Sequence, residues 1–128
     1  MRLLLDTQIA LWALTGSSRL GGLAQGLIED PANEVYVSTA SVWEIAIKHG
    51  LGRGDMPVSG ARAAELFTRA GYRELPVSWK HAAMVDALQA IHSDPFDRIL
   101  VAQALAEPMR LLSRDAAVAS YGEMVMPV

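Results

Sequence analysis

The chain alternates between short apolar runs and longer stretches in which apolar residues recur at helical spacing. Short apolar or β-branched runs that end at a polar residue are typical of buried strands. Three runs fit this description: RLLLD (2–6), EVYVS (34–38) and MRLLS (109–113). YRELPV at 72–77 is a weaker strand signal, and MVMPV at 124–128 is apolar without indicating a particular element.

Helical spacing fills most of the chain between these runs. The predicted helices are TQIALWAL (7–14), a stretch ending near Asp30, TASVWEIAIKHG (39–50), ARAAELFTRAG (61–71), SWKHAAMVDALQAIH (78–92), PFDRILVAQALAE (95–107) and RDAAVASYG (114–122). The segment LGRGDMPVSG at 51–60 indicates a loop. Strands separated by helices predict an α/β fold, with a mostly parallel sheet covered by helices on both faces.

Length and composition narrow the classes of protein. The 128 residues suffice for one buried core but not two, and no linker or repeat divides them, so we expect a single domain over residues 1–128. A hydrophobic content of 52% excludes a disordered chain. Because cysteine is absent, disulfides and thiolate metal sites are excluded, which fits a reducing cytoplasm.

Charge and hydropathy limit the partners. No apolar span is long enough for a membrane helix, and Asp6 interrupts the one stretch similar to a signal peptide. We therefore expect an unprocessed cytoplasmic protein with no membrane partner. The net charge of −3 indicates no general attraction to nucleic acids, so a polyanionic ligand would need local attraction or bound cations.

Four acidic residues, far apart in sequence, are predicted to meet at one edge of the sheet. Asp6 closes the first strand, and Asp115 follows the strand MRLLS. Glu44 and Asp97 lie in the first turns of helices that begin at the same edge. Ligands of open parallel sheets bind beyond the carboxyl ends of the strands. Because clustered carboxylates resist ionising together, a divalent cation such as Mg²⁺ or Mn²⁺ would stabilise them.

Each acid also has a purely structural interpretation. Asp6 could cap the helix that follows it, and Glu44 could pair with Lys48 one helical turn later. Apolar residues surround Glu44, so its carboxylate is expected to be partly buried and to need a partner, which argues against a simple surface pair with Lys48. Asp97 could merely be a negative charge that stabilises the positive N-terminus of its helix. The same holds for Asp115 if Ser113 is the N-cap of the helix that follows. The joint placement of all four favours a shared site.

The blocks LLLDT, SVWEIAIK, DPFDRILVAQA and LLSRDAAVASYG resemble the PIN-domain ribonucleases, in particular VapC-type toxins of bacterial toxin–antitoxin pairs. The resemblance covers essentially the whole chain, with the acidic blocks in the family's order. It implies a three-layer α/β/α sandwich, one PIN-like nuclease domain over 1–128, that cleaves RNA with Mg²⁺ or Mn²⁺. It also implies a cognate antitoxin and, commonly, a homodimer.

The same resemblance assigns roles by motif match. The acidic cluster would be Asp6, Glu44, Asp97 and Asp115, with Thr7 and Ser113 as nearby hydroxyls. Many relatives have threonine at the position of Ser113, and serine retains the hydroxyl group. Our first-choice metal ligands are Asp6, Asp97 and Asp115. Glu44 would complete the cluster through a water molecule or orient the nucleophile.

Other polar and aromatic residues carry weaker signals. Arg98 and Arg114 each adjoin a cluster acid and could contact phosphates, although an ordinary solvated or ion-paired arginine explains them equally well. The histidines at 49, 81 and 92 lack metal-ligand spacing and are not expected to be catalytic. The tryptophans at 12, 43 and 79 indicate core or interface positions rather than base-stacking platforms.

Two other functions remain open. A carboxylate after the first strand also serves phosphatases and other phosphoryl-transfer domains, but an aspartyl-phosphate phosphatase would usually have a second aspartate where Gln8 stands. A receiver domain would place a strand-end lysine near the acids, and the sequence indicates none. A non-catalytic binding module with the same fold is the other alternative, and intact acids at all four positions argue against it.

The two aspartates of DPFDR should respond differently to substitution. Asp94 before Pro95 is the predicted N-cap of the following helix, so Asp94→Ala should cost about 1 kcal/mol of stability while a folded variant keeps its activity. Asp97→Asn should lose at most about 0.3–1 kcal/mol, yet abolish metal binding and RNA cleavage. Thermal melting with cleavage rates checks both. An Asp97→Asn variant that melts early and cleaves normally would reduce Asp97 to a helix-start charge.

Overall fold

Five parallel strands form one sheet in the order β3-β2-β1-β4-β5. The computed structural model describes residues 1–54 and 56–128. The strands are β1 Arg2–Leu5, β2 Glu34–Ser38, β3 Arg73–Leu75, β4 Arg110–Ser113 and β5 Val125–Pro127. The helices are α1 Thr7–Thr15, α2 Gly22–Glu29, α3 Thr39–Gly50, α4 Gly60–Arg69, α5 Trp79–Met84, α6 Pro95–Ala106 and α7 Ala116–Ala119.

Two apolar cores lie on opposite faces of the sheet. Leu3 and Leu5 of β1 pack in one core with residues of α1, α3 and α4. Leu4, which points to the other face, packs in the second core with residues of α6 and α7. The predicted α/β/α sandwich is confirmed, and every strand pairing among the described residues is parallel. No helix in the described part of the chain is long and apolar enough to cross a membrane.

The strand order makes β1 the centre of the carboxyl edge. The chain passes from β1 through β2 to β3 on one side, then returns to β4 and β5 on the other. The sheet therefore has its topological switch point at β1 and β4, where a crevice opens beyond the strand ends. Asp6 directly follows β1, and Asp115 lies two residues beyond β4.

The helix predicted over 78–92 is much shorter than expected. The α-helix α5 ends at Met84, a 3-10 turn follows over Val85–Ala87, and Leu88 is extended. The cause lies in tertiary structure. The guanidinium of Arg98 donates hydrogen bonds to the backbone carbonyls of Val85, Gln89 and His92. The first two also accept from the amides of Leu88 and Ile91, so their backbone bonds are those of tight turns and not of an α-helix.

Other element boundaries differ modestly from the prediction. The apolar stretch 124–128 forms β5, which adds an edge strand beside β4. The weak strand signal at 72–77 yields only Arg73–Leu75, and the helix signal at 114–122 yields only α7. The described residues of the predicted loop 51–60 contain no strand and no helix before Gly60; Asp55 lies outside the described residues.

Candidate active site

The four predicted acids, Asp6, Glu44, Asp97 and Asp115, line one cavity of about 370 Å³ at the carboxyl edge of the sheet. Their predicted convergence is therefore found, while their catalytic and metal-binding roles remain predictions. Other polar side chains in the wall are Thr7, Gln8, Lys48 and Arg114. The cavity thus combines negative charge with two basic groups and a hydroxyl.

Asp6 is held at the base of the cavity by the start of α1. Its Oδ1 accepts a hydrogen bond from the amide of Ile9 at 2.8 Å, so Asp6 is the N-cap of this helix. The side chain is buried and also receives a hydrogen bond from Ser113. The pKa of the Asp6 carboxyl is raised from 3.8 to about 6, mainly by burial and in part by the charges of Asp97 and Glu44, while these hydrogen bonds act in the opposite direction.

Asp97 projects from the first turn of α6. Asp94 is the N-cap of this helix, as predicted: its Oδ1 accepts from the amides of Phe96 and Asp97 at 2.9 and 3.2 Å, and Pro95 occupies the first turn. The pKa of Asp97 is raised from 3.8 to about 6, mainly by burial and then by the charge of Asp94. A hydrogen bond with His92 acts in the opposite direction.

Glu44 is fixed by two neighbours on opposite sides. Its Oε2 pairs with Nζ of Lys48 at 2.5 Å, and its Oε1 accepts a hydrogen bond from the Thr7 hydroxyl at 2.6 Å. Because a hydroxyl carries a single proton, the 2.9 Å contact between Thr7 and Ser41 assigns the donor role there to Ser41. The structural interpretation of Glu44 is therefore confirmed, and this buried, paired carboxylate also lines the cavity, where its catalytic role stays a prediction.

Asp115 itself is the N-cap of α7, whereas its interpretation as a helix-start charge required Ser113 to be the N-cap. Its Oδ1 accepts from the amide of Ala117 at 2.8 Å. Ser113 lies one step earlier, where its hydroxyl oxygen accepts from the amide of Asp115 at 3.1 Å. Ser113 is buried and interacts with Asp6, so this hydroxyl links the ends of β1 and β4.

The two arginines occupy different environments. Arg114 lies in the cavity wall, 5.2 Å above the ring of Trp12, and donates a hydrogen bond to the carbonyl of Arg19 at 2.6 Å. Arg98 contacts Tyr121 and the carbonyls at 85–92 instead. Both phosphate contacts stay predictions, and the position of Arg114 in the wall favours it of the two.

Sequence reasoning missed the contact between His92 and the site residue Asp97. Its Nε2 lies 3.2 Å from Oδ2 of Asp97, and its Nδ1 lies 2.8 Å from the Tyr121 hydroxyl. His81 instead completes the capping box of α5 and contacts Glu107 at 2.7 Å. The spacing of five residues between His92 and Asp97 is not a helical spacing, and only the irregular segment before α6 brings the two together.

The tryptophans also differ from one another. Trp12 is partly buried against the first core, as predicted. Trp43 and Trp79 have 63% and 94% of their surface exposed, so for these two a core position is wrong and an interface position remains a prediction.

Metal binding can be tested against the donor groups. Among residues 1–54 and 56–128, no three acidic or histidine side chains are close enough together to hold an ion as they stand. The acids are nevertheless near enough for the charges of Asp97 and Glu44 to raise the pKa of Asp6, and for that of Glu44 to raise the pKa of Asp97. Mg²⁺ retains several of its waters when it binds carboxylates. The residues present therefore fit a partly hydrated divalent cation.

Comparison with known proteins decides the family. The profile of the PIN domain matches residues 3–123. The chain belongs to the PIN-domain family. Members of this family are generally nucleases and typically use divalent metals. The resemblance of the four sequence blocks is thus confirmed at the level of the family.

A solved structure supports the same fold. The chain is similar to one in the crystal structure of VapBC2 from Rickettsia felis bound to a DNA fragment from their promoter. The TM-score is 0.71 over 100% of this chain and 98% of that chain. At 13% sequence identity the likeness shows the fold alone. No curated protein sequence matches the chain.

The raised pKa of Asp6 predicts a pH-dependent stability. Since the folded carboxyl titrates near pH 6 and the unfolded one near 3.8, the folded state binds more protons between these values, and its stability falls as the pH rises through them. Asp6→Asn, which keeps the N-cap, should therefore stabilise the metal-free protein above pH 6 by about 1–3 kcal/mol, and this gain should vanish below pH 4.

Denaturant unfolding of both proteins across this pH range measures the difference. Asp86→Asn, at an exposed acid outside the cavity, is the control and should behave as the wild type does. An equal effect of Asp6→Asn at pH 4 and pH 7 would show that the Asp6 carboxylate is not destabilised by its surroundings.

Proposed function

We propose that this PIN-domain chain is a metal-dependent endoribonuclease that acts as the toxin of a toxin–antitoxin pair. The observation that carries the proposal is the meeting of Asp6, Glu44, Asp97 and Asp115 in one cavity at the sheet edge. Family membership supports nuclease chemistry, and the likeness to a VapBC2 structure supports the toxin assignment. RNA as substrate rests on the resemblance of the sequence blocks.

Asp6, Asp97 and Asp115 are the residues proposed to hold the cation. All three offer hard oxygen ligands, which suit Mg²⁺ or Mn²⁺, and Asp6 and Asp97 are destabilised as free carboxylates by burial and by neighbouring charge. A bound divalent cation would polarise a phosphoryl oxygen of the substrate and stabilise charge on the leaving oxygen.

Glu44 is proposed to orient the attacking water. The Thr7 hydroxyl and the Lys48 ammonium hold its two oxygens, which fixes the carboxylate without a contribution from the substrate. Lys48 and Arg114 add positive charge to the cavity wall. Since the chain carries a net charge of −3, these two side chains and the cation would supply the local attraction for a phosphodiester.

The proposed partners are RNA, a cognate antitoxin and a second copy of the chain, in the cytoplasm. The VapBC2 structure supports an antitoxin, because its description names a VapBC2 assembly on promoter DNA. The exposure of Trp43 and Trp79 supports burial against another protein, since large exposed aromatic side chains are typical of interfaces.

The alternative functions gain less support. Gln8 lines the cavity two residues after Asp6, so a phosphatase would lack its second carboxylate. A lysine does lie near the acids, but Lys48 belongs to α3 and not to the end of a strand, as a receiver domain would require. A non-catalytic binding module would have no use for four clustered acids.

Cleavage of RNA with Mg²⁺, with Mn²⁺ and with EDTA tests the proposal, together with calorimetry of Mn²⁺ binding. We expect cleavage only with a divalent metal, and weak metal binding that depends on Asp6 and Asp97. Asp6→Asn keeps the cap of α1 but removes a charged ligand, so its cleavage rate should fall about 100-fold.

Glu65→Gln provides the matched control, because Glu65 lies on the surface of α4 and pairs only with nearby arginines among the described residues. It should cleave and bind metal as the wild type does. Phosphatase activity without RNA cleavage, or cleavage that persists in EDTA, would contradict the proposal.

A further inference from the structure

A chain of four hydrogen-bonded side chains ends at Asp97. Arg98 donates from its guanidinium to the Tyr121 hydroxyl at 2.9 Å. The same hydroxyl lies 2.8 Å from Nδ1 of His92, and Nε2 of His92 lies 3.2 Å from Oδ2 of Asp97. The chain joins three segments: the first turn of α6, the irregular stretch before it, and the residues after α7.

For a neutral imidazole beside an ionised Asp97, the chemistry of the four groups assigns each proton between them. A guanidinium has donors and no acceptor, so the Tyr121 oxygen must accept from Arg98. The single proton of Tyr121 is then free to point at His92, whose Nδ1 accepts it. A neutral imidazole that accepts at Nδ1 carries its proton at Nε2. That proton faces the Asp97 carboxylate, which is an acceptor.

Tyr121 is itself firmly placed. The guanidinium carbon of Arg98 lies 6.0 Å from the centre of the Tyr121 ring, in addition to the hydrogen bond to the Tyr121 hydroxyl. The centres of the Tyr121 and His92 rings are 5.3 Å apart. Arg98 is anchored in turn by the backbone carbonyls of Gln89 and His92, at 2.9 and 3.4 Å. Each member therefore has at least two contacts, which restricts the orientation of the imidazole.

We propose that His92 is a positioning residue for Asp97: Arg98 and Tyr121 hold it as the tautomer that donates its Nε2–H to Asp97 Oδ2. This hydrogen bond fixes the rotation of the Asp97 side chain and directs its other oxygen towards the cavity. Partners of this kind, which orient a metal ligand from behind, commonly change metal affinity 10–100-fold when removed. The metal-binding part of this inference rests on the proposed function, whereas the tautomer does not.

Nitrogen-15 NMR of the imidazole rings tests the tautomer in the wild-type protein, without metal or RNA. We expect neutral His92 to carry its proton on Nε2, and Tyr121→Phe to weaken that preference. Tyr36→Phe, which removes a tyrosine hydroxyl on β2, should leave the His92 signals unchanged. A wild-type His92 protonated on Nδ1, or one unaffected by Tyr121→Phe, would overturn the inference.

Mn²⁺ calorimetry on two His92 variants tests the positioning. His92→Gln can place an amide donor near the position of Nε2 and should keep metal affinity within about threefold, whereas His92→Ala should lose about tenfold. Equal affinities of these two variants would overturn the positioning role. If the wild type binds no metal although His92 carries its proton on Nε2, the proposed function is wrong. The hydrogen bonds that join Arg98, Tyr121, His92 and Asp97 would then be confirmed without a metal-binding role.

Discussion

The burial of carboxylates that share one cavity, together with the repulsion among them, is the constraint on which the site depends. The pKa of Asp6 and of Asp97 is raised to about 6, mainly by burial and in part by the charges of neighbouring acids. The surrounding structure offsets this cost with helix amides, hydroxyls and a lysine. Asp6 and Asp115 cap helices, while Glu44 is held by Thr7 and Lys48. The helix starts at the sheet edge thus stabilise the acids that a divalent cation would bind.

Much of this arrangement follows from local sequence. The strand EVYVS and the helix TASVWEIAIKHG have the predicted boundaries, because β-branched alternation and a glycine stop act over a few residues. The cap at Asp94 is also local, since Asp followed by Pro satisfies the first amides of α6. Once the strands are parallel, their carboxyl ends share an edge, and the meeting of the four acids follows from geometry.

The features that the sequence did not reveal depend on contacts between distant segments. The helix expected over 78–92 ends early because Arg98 bonds its carbonyls, an interaction invisible to helical periodicity. His92 reaches Asp97 through the same irregular segment, and its other partner, Tyr121, lies 29 residues away. The strand β5 has only three residues and depends on pairing with β4, so its own pattern was too short to indicate a strand.

The most direct test of this account is the titration of Asp6 and Asp97 by carbon-13 NMR of their side-chain carboxyls, with and without Mg²⁺. Without metal, both should titrate near pH 6, well above the ordinary value of 3.8. With saturating Mg²⁺, both should titrate at clearly lower pH, because the cation stabilises the ionised forms. Two carboxyls that titrate near their ordinary value and do not respond to Mg²⁺ would contradict the central claim that these acids form a strained cluster awaiting a cation.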